Sequence, residues 1–182
     1  LGKELPAKAL DEILTDHAEV FTELKEYYKQ TSESDTTKIS FYEDTYSLYN
    51  LYRFAHYYEE AYGKYIWLKS GASLVIEHTE AMTVIDVNTG SVLKKKKQED
   101  TLFYQINREA AKEIARQLRL RNISGIIMID FINMKDTAQK EKLLSLLDSE
   151  CKKDRVHCNV IDMTALNLVE MTRSKVRKPL HE

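Results

Sequence analysis

The stretch AMTVIDVNTG, residues 81–90, decides the fold class of this chain. Its apolar and β-branched residues predict a buried strand that Thr89 and Gly90 end. Asp86 lies near the carboxyl end of that strand, and Asn88 follows on the same side, because side chains alternate between the two faces of a strand. A carboxylate at this point either caps the next turn or is held at the sheet edge to bind a ligand.

The residues before this stretch predict two further strands. KYIWL, residues 64–68, and ASLVIEH, residues 72–78, are separated from each other and from residues 81–88 by short turns that contain Gly, Ser, Thr or Glu. Short connections of this kind join antiparallel neighbours. We therefore expect a three-stranded antiparallel meander.

The residues after the stretch alternate between helix and strand. A long amphipathic helix is predicted to end near Asn122, followed by a strand over 124–134, a helix over 137–153, a strand over 157–163 and a short helix over 165–173. Strands that alternate with helices are typical of parallel pairing, and a strand that is apolar on both faces is typical of the centre of a sheet. The predicted fold class is α/β: an antiparallel meander leading into βαβαβ, with a mixed sheet flanked by helices.

The first part of the chain is acidic and rich in tyrosine. Residues 10–17 fit either the start of a helix or a short strand, residues 18–30 predict a helix, and residues 38–44 predict a strand. A single helix is predicted in the stretch 45–64, stopping near Gly63, and it carries a stripe of tyrosines. Such a stripe is typical of a core or a domain interface, and the alternative is that it stacks on nucleic-acid bases.

Composition narrows the functional classes. With 43% hydrophobic residues among 182, the chain can bury a sizeable core without disulfides, and Cys151 and Cys158 are expected to be reduced thiols of a cytoplasmic protein. No apolar run is long enough to span a membrane, so no membrane partner is expected. Residues 1–70 contain 8 Lys and Arg against 13 Asp and Glu, and residues 71–182 contain 19 against 16. The basic excess of the second part permits a phosphate-rich partner.

Two aspartates occupy matching places in two of the predicted strands. A right-handed crossover would make TVIDVN and IIMIDFIN parallel neighbours, with Asp86 and Asp130 both near their carboxyl ends. Carboxylates this close repel each other unless a cation or a shared proton offsets the charge, and Mg²⁺ is a natural partner for oxygen ligands. Asn88 would orient a carboxylate or hold a metal-bound water. The alternative is that both aspartates only cap the turns after their strands.

Three separate segments resemble one family in their order and spacing. GASLVIEHTEAMTVIDVNTG (71–90), INREAAKEIARQLRLRNISGIIMIDFINM (106–134) and LNLVEMTR (166–173) are similar to the catalytic region of the ribonuclease E/G family of bacterial endoribonucleases. The resemblance implies that residues 1–64 are a portion of a ribonuclease-H-like subdomain. It also implies that residues 65–182 are a DNase-I-like catalytic subdomain that binds metal.

The resemblance also implies roles for individual residues. Asp86 and Asp130 fall on the family positions that hold one Mg²⁺, for which Mn²⁺ may substitute, and Asn88 falls on the asparagine that hydrogen-bonds the carboxylates. The implied reaction is hydrolysis of single-stranded RNA in RNA processing and decay. The lysine run Lys94, Lys95, Lys96 and Lys97 follows the Asp86 strand, and it either contacts the RNA backbone or forms a solvated loop.

Departures from the family pattern leave other functions open. The chain has no counterpart to the family's RNA-binding barrel, 5′-end sensor or zinc link, so we expect a fragment of a longer enzyme, and a homo-oligomer of the full-length protein is compatible with the resemblance. Asn133 stands where an aspartate is usual and Asn167 where a glycine is usual. One alternative is a catalytically weak or inactive RNA-binding module. Another is an assembly domain that uses the tyrosine-rich first part.

Overall fold

The computed structural model describes residues 11–31, 37–90 and 99–180 of this chain. It divides the chain into two units, Leu1–Tyr57 and Tyr58–Glu182. The lysine run at residues 94–97 lies outside the described residues. The assignment of the two predicted subdomains, with a boundary after residue 64, stays a prediction.

The first unit contains a two-stranded parallel sheet and the helix that connects its strands. The elements are β1 (Glu12–Thr15), α1 (Ala18–Thr31) and β2 (Lys38–Phe41), and β1 pairs with β2 in parallel. Parallel strands need a crossover connection, which α1 supplies. Phe21 of α1 packs against Phe41 of β2 with ring centroids 5.3 Å apart. The first element, for which the sequence left helix or strand open, is therefore a strand.

The aromatic segment that follows is two short helices. They are α2 (Leu48–Leu51) and α3 (Phe54–Tyr62), so the prediction of one continuous helix is wrong. Arg53 between them has φ of 54°, in the left-handed region, which an α-helix cannot contain. The tyrosine stripe is exposed rather than part of the core, and its possible role at an interface stays a prediction. Its exposed members are Tyr46, Tyr49, Tyr52, Tyr57, Tyr58 and Tyr62.

The second unit is built on a six-stranded mixed sheet with two long helices. Its elements are β3 (Tyr65–Trp67), β4 (Ser73–His78), β5 (Met82–Asn88), α4 (Glu99–Leu120), β6 (Gly125–Asp130), α5 (Thr137–Cys151), β7 (Cys158–Met163) and β8 (Leu168–Arg173). The strand order is β3-β4-β5-β6-β8-β7. The first three strands pair antiparallel, and β5 pairs with β6 in parallel across the α4 crossover. The predicted α/β class, the meander and the flanked mixed sheet are confirmed.

The last strand corrects one prediction. Residues 165–173 were predicted to be a short helix, but Leu168–Arg173 form β8, with Val169, Met171 and Arg173 buried in the alternation of a strand. This strand pairs antiparallel with both β6 and β7, and so separates them. The strands β6 and β7 consequently run in the same direction without being adjacent. The expectation of parallel neighbours therefore holds for β5 and β6 alone among the βαβαβ strands.

Both long helices pack against the same face of this sheet. Every third or fourth residue of α4 is buried, and these residues contact the inward side chains of the central strands. The α4 members are Ile106, Ala110, Ile114 and Leu118, and the strand members include Leu74, Ile85, Ile127 and Ile129. The opposite face, which we call the open face, bears alternate residues that are half-buried or exposed, among them Val84, Asp86, Met128 and Asp130. Among the described helices, none combines the length and apolarity needed to cross a bilayer.

Candidate metal centre

Two carboxylates lie side by side on the open face. Asp86 of β5 and Asp130 of β6 are direct partners in the register of the parallel pair. Adjacent strands lie about 4.8 Å apart, and partners in register point to the same face. The core packs on Ile85, Val87 and Ile129, the neighbours of the two aspartates in sequence, and strand alternation therefore places both aspartates on the side away from α4 and α5. The structure thus brings together the two residues that the sequence proposed as metal ligands.

Asn88 joins the pair through a short hydrogen bond. Its Nδ2 donates to Asp86 Oδ2 at 2.6 Å, as expected for two residues that share one face of a strand. This bond holds one oxygen of the carboxylate and leaves the other, together with Asn88 Oδ1, as oxygen donors to a ligand. The amide therefore fixes the orientation of the Asp86 carboxylate.

The pair is electrostatically costly in the absence of a cation. Partial burial raises the pKa of Asp130, and the neighbouring charge of Asp86 raises it further. Within the described residues, no lysine or arginine forms an ion pair with either aspartate. A divalent cation between the two carboxylates would offset their repulsion.

The donor set fits one class of metal. Two carboxylates and an amide oxygen are hard ligands, which suit Mg²⁺ or Mn²⁺, whereas zinc sites usually use thiolates and imidazoles. Among the described residues, no group of three or more His, Cys, Asp or Glu side chains is placed to hold a metal. A cation at Asp86 and Asp130 would therefore complete its coordination with water and substrate oxygens, as Mg²⁺ commonly does.

A buried asparagine braces the loop after Asp130. Asn107 of α4 is fully buried; its Nδ2 donates to the carbonyl of Ile132 at 2.8 Å and its Oδ1 accepts from the Ile132 amide at 3.0 Å. Sequence reasoning did not single out this residue. The signal was a polar residue beside the apolar stripe of α4, directly after Ile106.

A second contact from α4 braces the opposite side of the site. The carboxylate of Glu109 accepts from the backbone amides of Lys69 and Ser70, at 2.7 and 3.3 Å, and so holds the turn between β3 and β4. This turn lies against the end of β5, where Gly90 has φ of 58° and a Cβ would lie 2.7 Å from the carbonyl oxygen of Gly71. The middle of α4 therefore supports both loops that border the carboxylates.

Asn133 and Asn167, the two asparagines that the sequence analysis singled out as departures, lie outside the strands. Asn167 precedes β8 with φ of 64°, a conformation that glycine adopts freely and asparagine tolerates better than most residues. Its Oδ1 accepts from Lys140 Nζ at 2.6 Å. Asn133 is exposed in the loop after Asp130. Asparagine at residue 167 therefore adopts a left-handed conformation while its side chain contacts α5.

Comparison with known proteins identifies relatives of this chain. The sequence matches the family model described as Ribonuclease E/G family over residues 2–176. It is 38% identical over 171 residues to Ribonuclease G of Escherichia coli strain K12. The aligned region covers 94% of this chain and 35% of that protein. It is 34% identical over 176 residues to Ribonuclease E of a Nostoc species, in an alignment that covers 95% of this chain and 26% of that protein. The chain spans about a third or less of the length of these relatives.

Proposed function

Because this chain belongs to the ribonuclease E/G family, we propose that it contains the catalytic centre of a Mg²⁺-dependent endoribonuclease that cuts single-stranded RNA. The observation that carries the proposal is the register pairing of Asp86 with Asp130 on the open face. The names Ribonuclease G and Ribonuclease E of the relatives support a reaction on RNA. The role of the reaction would be RNA processing and decay, in the cytoplasm.

Asp86 and Asp130 would hold the cation between them. When bound there, Mg²⁺ would polarise the scissile phosphate and lower the pKa of a bound water. The chain's own contribution is to hold both carboxylates in position before substrate binds. Because β5 and β6 are paired strands at the centre of the sheet, the carboxylates have little freedom to move. Mn²⁺ would substitute because it accepts the same hard oxygen ligands.

Asn88 would act as a positioning residue. Its 2.6 Å hydrogen bond restrains the Asp86 carboxylate, so that the free oxygen faces the cation in one orientation. Asn107 and Glu109 act one step further away, because they hold the backbone of the loops on both sides. Loss of the contacts of Asn107 or Glu109 would lower metal affinity without removing an oxygen donor.

RNA would reach the site across the open face. Lys94, Lys95, Lys96 and Lys97 follow β5 in sequence, and we propose that this run contacts the phosphate backbone of the RNA. The proposal for the lysines rests on their charge and on their place in the sequence. A homo-oligomer of the full-length protein is a further part of the proposal, because the resemblance is to a family in which a zinc link joins protomers.

Metal titration of matched variants tests the proposal. Calorimetry with Mg²⁺ and Mn²⁺ on the wild-type chain, Asp86→Asn and Asp130→Asn is expected to show one site that both substitutions abolish. Asp162→Asn is the control, because Asp162 is an exposed acid of β7 whose Oδ1 accepts from the Met163 amide, a bond that asparagine can keep. The control is expected to bind metal as wild type does.

Cleavage of a single-stranded RNA by the same samples completes the test. We expect slow cleavage by wild type and Asp162→Asn, and none by the two site variants. A wild-type chain that binds no metal in the millimolar range would contradict the proposal and leave the aspartates as turn caps. RNA binding that needs no metal and leads to no cleavage would favour the binding module instead.

A further inference from the structure

Two large aromatic side chains stand exposed on the open face of the sheet. In the edge strand β3, Ile66 is 5% exposed and packs into the core, whereas its neighbours Tyr65 and Trp67 are 60% and 73% exposed. Strand alternation places both rings on the face opposite the helices. Tryptophan and tyrosine are usually buried for the greater part, so two exposed rings on one face indicate a binding surface.

The strand register connects these rings to the proposed metal ligands. Trp67 pairs with Ser73, which pairs with Asn88, and Tyr65 pairs with Val75, which pairs with Asp86. Each aromatic residue therefore lies two strands, or about 10 Å, from a residue of the site and on the same face. A short oligonucleotide whose phosphate lies at Asp86 spans this distance.

Small side chains lie between the aromatic rings and the proposed metal ligands. The β4 residues that separate them, Ser73 and Val75, have small side chains that are buried or half-buried. Both side chains are small, so an RNA strand that lies on the open face can contact Tyr65, Trp67 and Asp86 across them. The aromatic edge and the carboxylates therefore belong to one continuous surface.

Basic side chains outnumber acidic ones by four to three around Trp67. A groove of about 430 Å³ between β3 and α4 is lined by Trp67, by the basic side chains of Lys69, Lys112, Arg116 and Arg119, and by the acidic side chains of Glu60, Glu109 and Glu113. Within the described residues, neither lysine forms an ion pair, whereas Arg116 of the same groove is paired with Glu60 and Glu113. Free cationic side chains next to exposed rings are the combination that binds single-stranded nucleic acid, in which bases stack and phosphates are neutralised.

We infer that Tyr65 and Trp67 form a stacking subsite for the bases of single-stranded RNA next to the phosphate held at Asp86 and Asp130. The inference rests on the proposed function, since it takes RNA as the occupant of the open face. Unpaired bases are the groups that stack on aromatic side chains, whereas a duplex keeps its bases stacked inside. The subsite would capture RNA without reading its sequence, because every base has a face on which to stack.

Trp67 supplies its own probe, because it is the one tryptophan in the sequence. In EDTA, so that the strand is not cut, a single-stranded RNA oligonucleotide is titrated into the full chain while the tryptophan emission is followed. We expect saturable quenching. An abasic strand of equal length and charge is the matched ligand, and it is expected to bind about 5- to 100-fold more weakly because it has no bases to stack.

Variants are compared by the anisotropy of labelled RNA. Trp67→Ala and Tyr65→Ala are each expected to weaken binding of the RNA by about 5- to 100-fold while binding of the abasic strand is unchanged, and Trp67→Phe is expected to retain most of the affinity. Ile161→Ala is the control, because Ile161 is also an exposed large hydrophobic residue but lies in β7, at the other edge of the sheet. Circular dichroism checks that each variant is folded.

The outcomes separate this inference from the proposed function. Emission of Trp67 that does not change with RNA, or wild-type affinity in both alanine variants, overturns the stacking subsite, and the catalytic proposal stands if cleavage still depends on Asp86 and Asp130. Base-dependent quenching without any metal-dependent cleavage supports the subsite and contradicts the catalytic proposal. A wild-type chain that does not bind RNA overturns the stacking inference outright.

Discussion

Asn107 and Ile132 exchange two hydrogen bonds, at 2.8 and 3.0 Å, between the side-chain amide of one and the main chain of the other. The crossover helix α4 is in this way joined to the loop that follows Asp130. The amide is fully buried, and both its donor and its acceptor are used. A crossover helix in this fold therefore does more than connect two strands, because it also fixes the backbone at the end of the second strand.

Removal of this contact is expected to weaken both the fold and the metal site. Asn107→Ala leaves the amide and the carbonyl of the half-buried Ile132 without their partner, which should lower the free energy of unfolding by about 1–3 kcal/mol. Urea unfolding measures the loss, and calorimetry should show weaker Mg²⁺ binding. Asn159→Ala, at an exposed position of β7, should change stability by less than about 0.5 kcal/mol. Equal stability of both variants would contradict the bracing role.

Asp130→Asn is expected to stabilise the metal-free protein at neutral pH. Burial and the charge of Asp86 raise the pKa of Asp130, so the ionised carboxyl is less favourable in the folded chain than in the unfolded one. For a carboxyl with a raised folded pKa, stability is fully present below the unfolded value, here 3.8, and is lost as the pH rises through the folded pKa. Asparagine does not ionise, so Asp130→Asn does not lose this stability as the pH rises.

Melting temperatures across pH measure this difference. The advantage of Asp130→Asn over wild type should be present near pH 7 and disappear below the ordinary aspartate pKa, where the native carboxyl is neutral. Added Mg²⁺ should raise the melting temperature of wild type and not of the variant. In Asp86→Asn, a carboxyl titration by NMR should find the pKa of Asp130 lower than in wild type but still raised, because burial is the larger cause. An advantage that does not vary with pH would refute this electrostatic account.

Gly90→Ala is expected to destabilise the end of β5. The new Cβ would lie 2.7 Å from the carbonyl oxygen of Gly71, which belongs to backbone and moves only with the turn. The matched control is Gly125→Ala, because Gly125 also has a positive φ, of 89°, but nothing lies within 4 Å of the added atom. Both variants lose about 1–2 kcal/mol to backbone conformation, and only Gly90→Ala should lose more and bind metal more weakly. Equal losses of stability in the two variants would show that the turn at Gly71 moves aside at little cost.

The ion pair of Arg173 with Asp154 is expected to be a main anchor of the second unit. Both side chains are almost fully buried, and Arg173 Nη1 also donates to Asn122 Oδ1 and to the carbonyl of Ile123. Asp154→Ala leaves a buried guanidinium without its carboxylate and should cost about 3–5 kcal/mol in urea unfolding. Asp148→Ala, which removes the exposed pair with Lys152, should cost less than about 1 kcal/mol. A small loss in Asp154→Ala would mean that water reaches Arg173.

Periodicity alone predicted most of the second unit. The period of two in residues 82–88 placed Asp86 and Asn88 on one face, and their 2.6 Å hydrogen bond agrees with that placement. The inner face of α4 was predicted in the same way, since apolar spacing is a local property of the sequence.

The errors arose where partners distant in sequence decide the structure. The segment 168–173 is short and apolar, so its pattern fits either a helix or a strand. Its pairing with β6 and β7 makes it a strand. The break at Arg53 has no glycine or proline to signal it. Similarly, the sequence shows that residue 107 is a polar residue among apolar ones, but not that Ile132 is its partner.

Carboxylates on the open face also protect the sheet against misassembly. If β5 slipped by one residue along β6, Asp86 would turn inward to the place now occupied by Ile85 or Val87, beneath α4. An unpaired charge in that core would cost several kcal/mol, so the slipped arrangement is strongly disfavoured. The same acids that would act on a substrate therefore act as a check on assembly. A descendant that had lost all activity would still benefit from a polar residue at position 86.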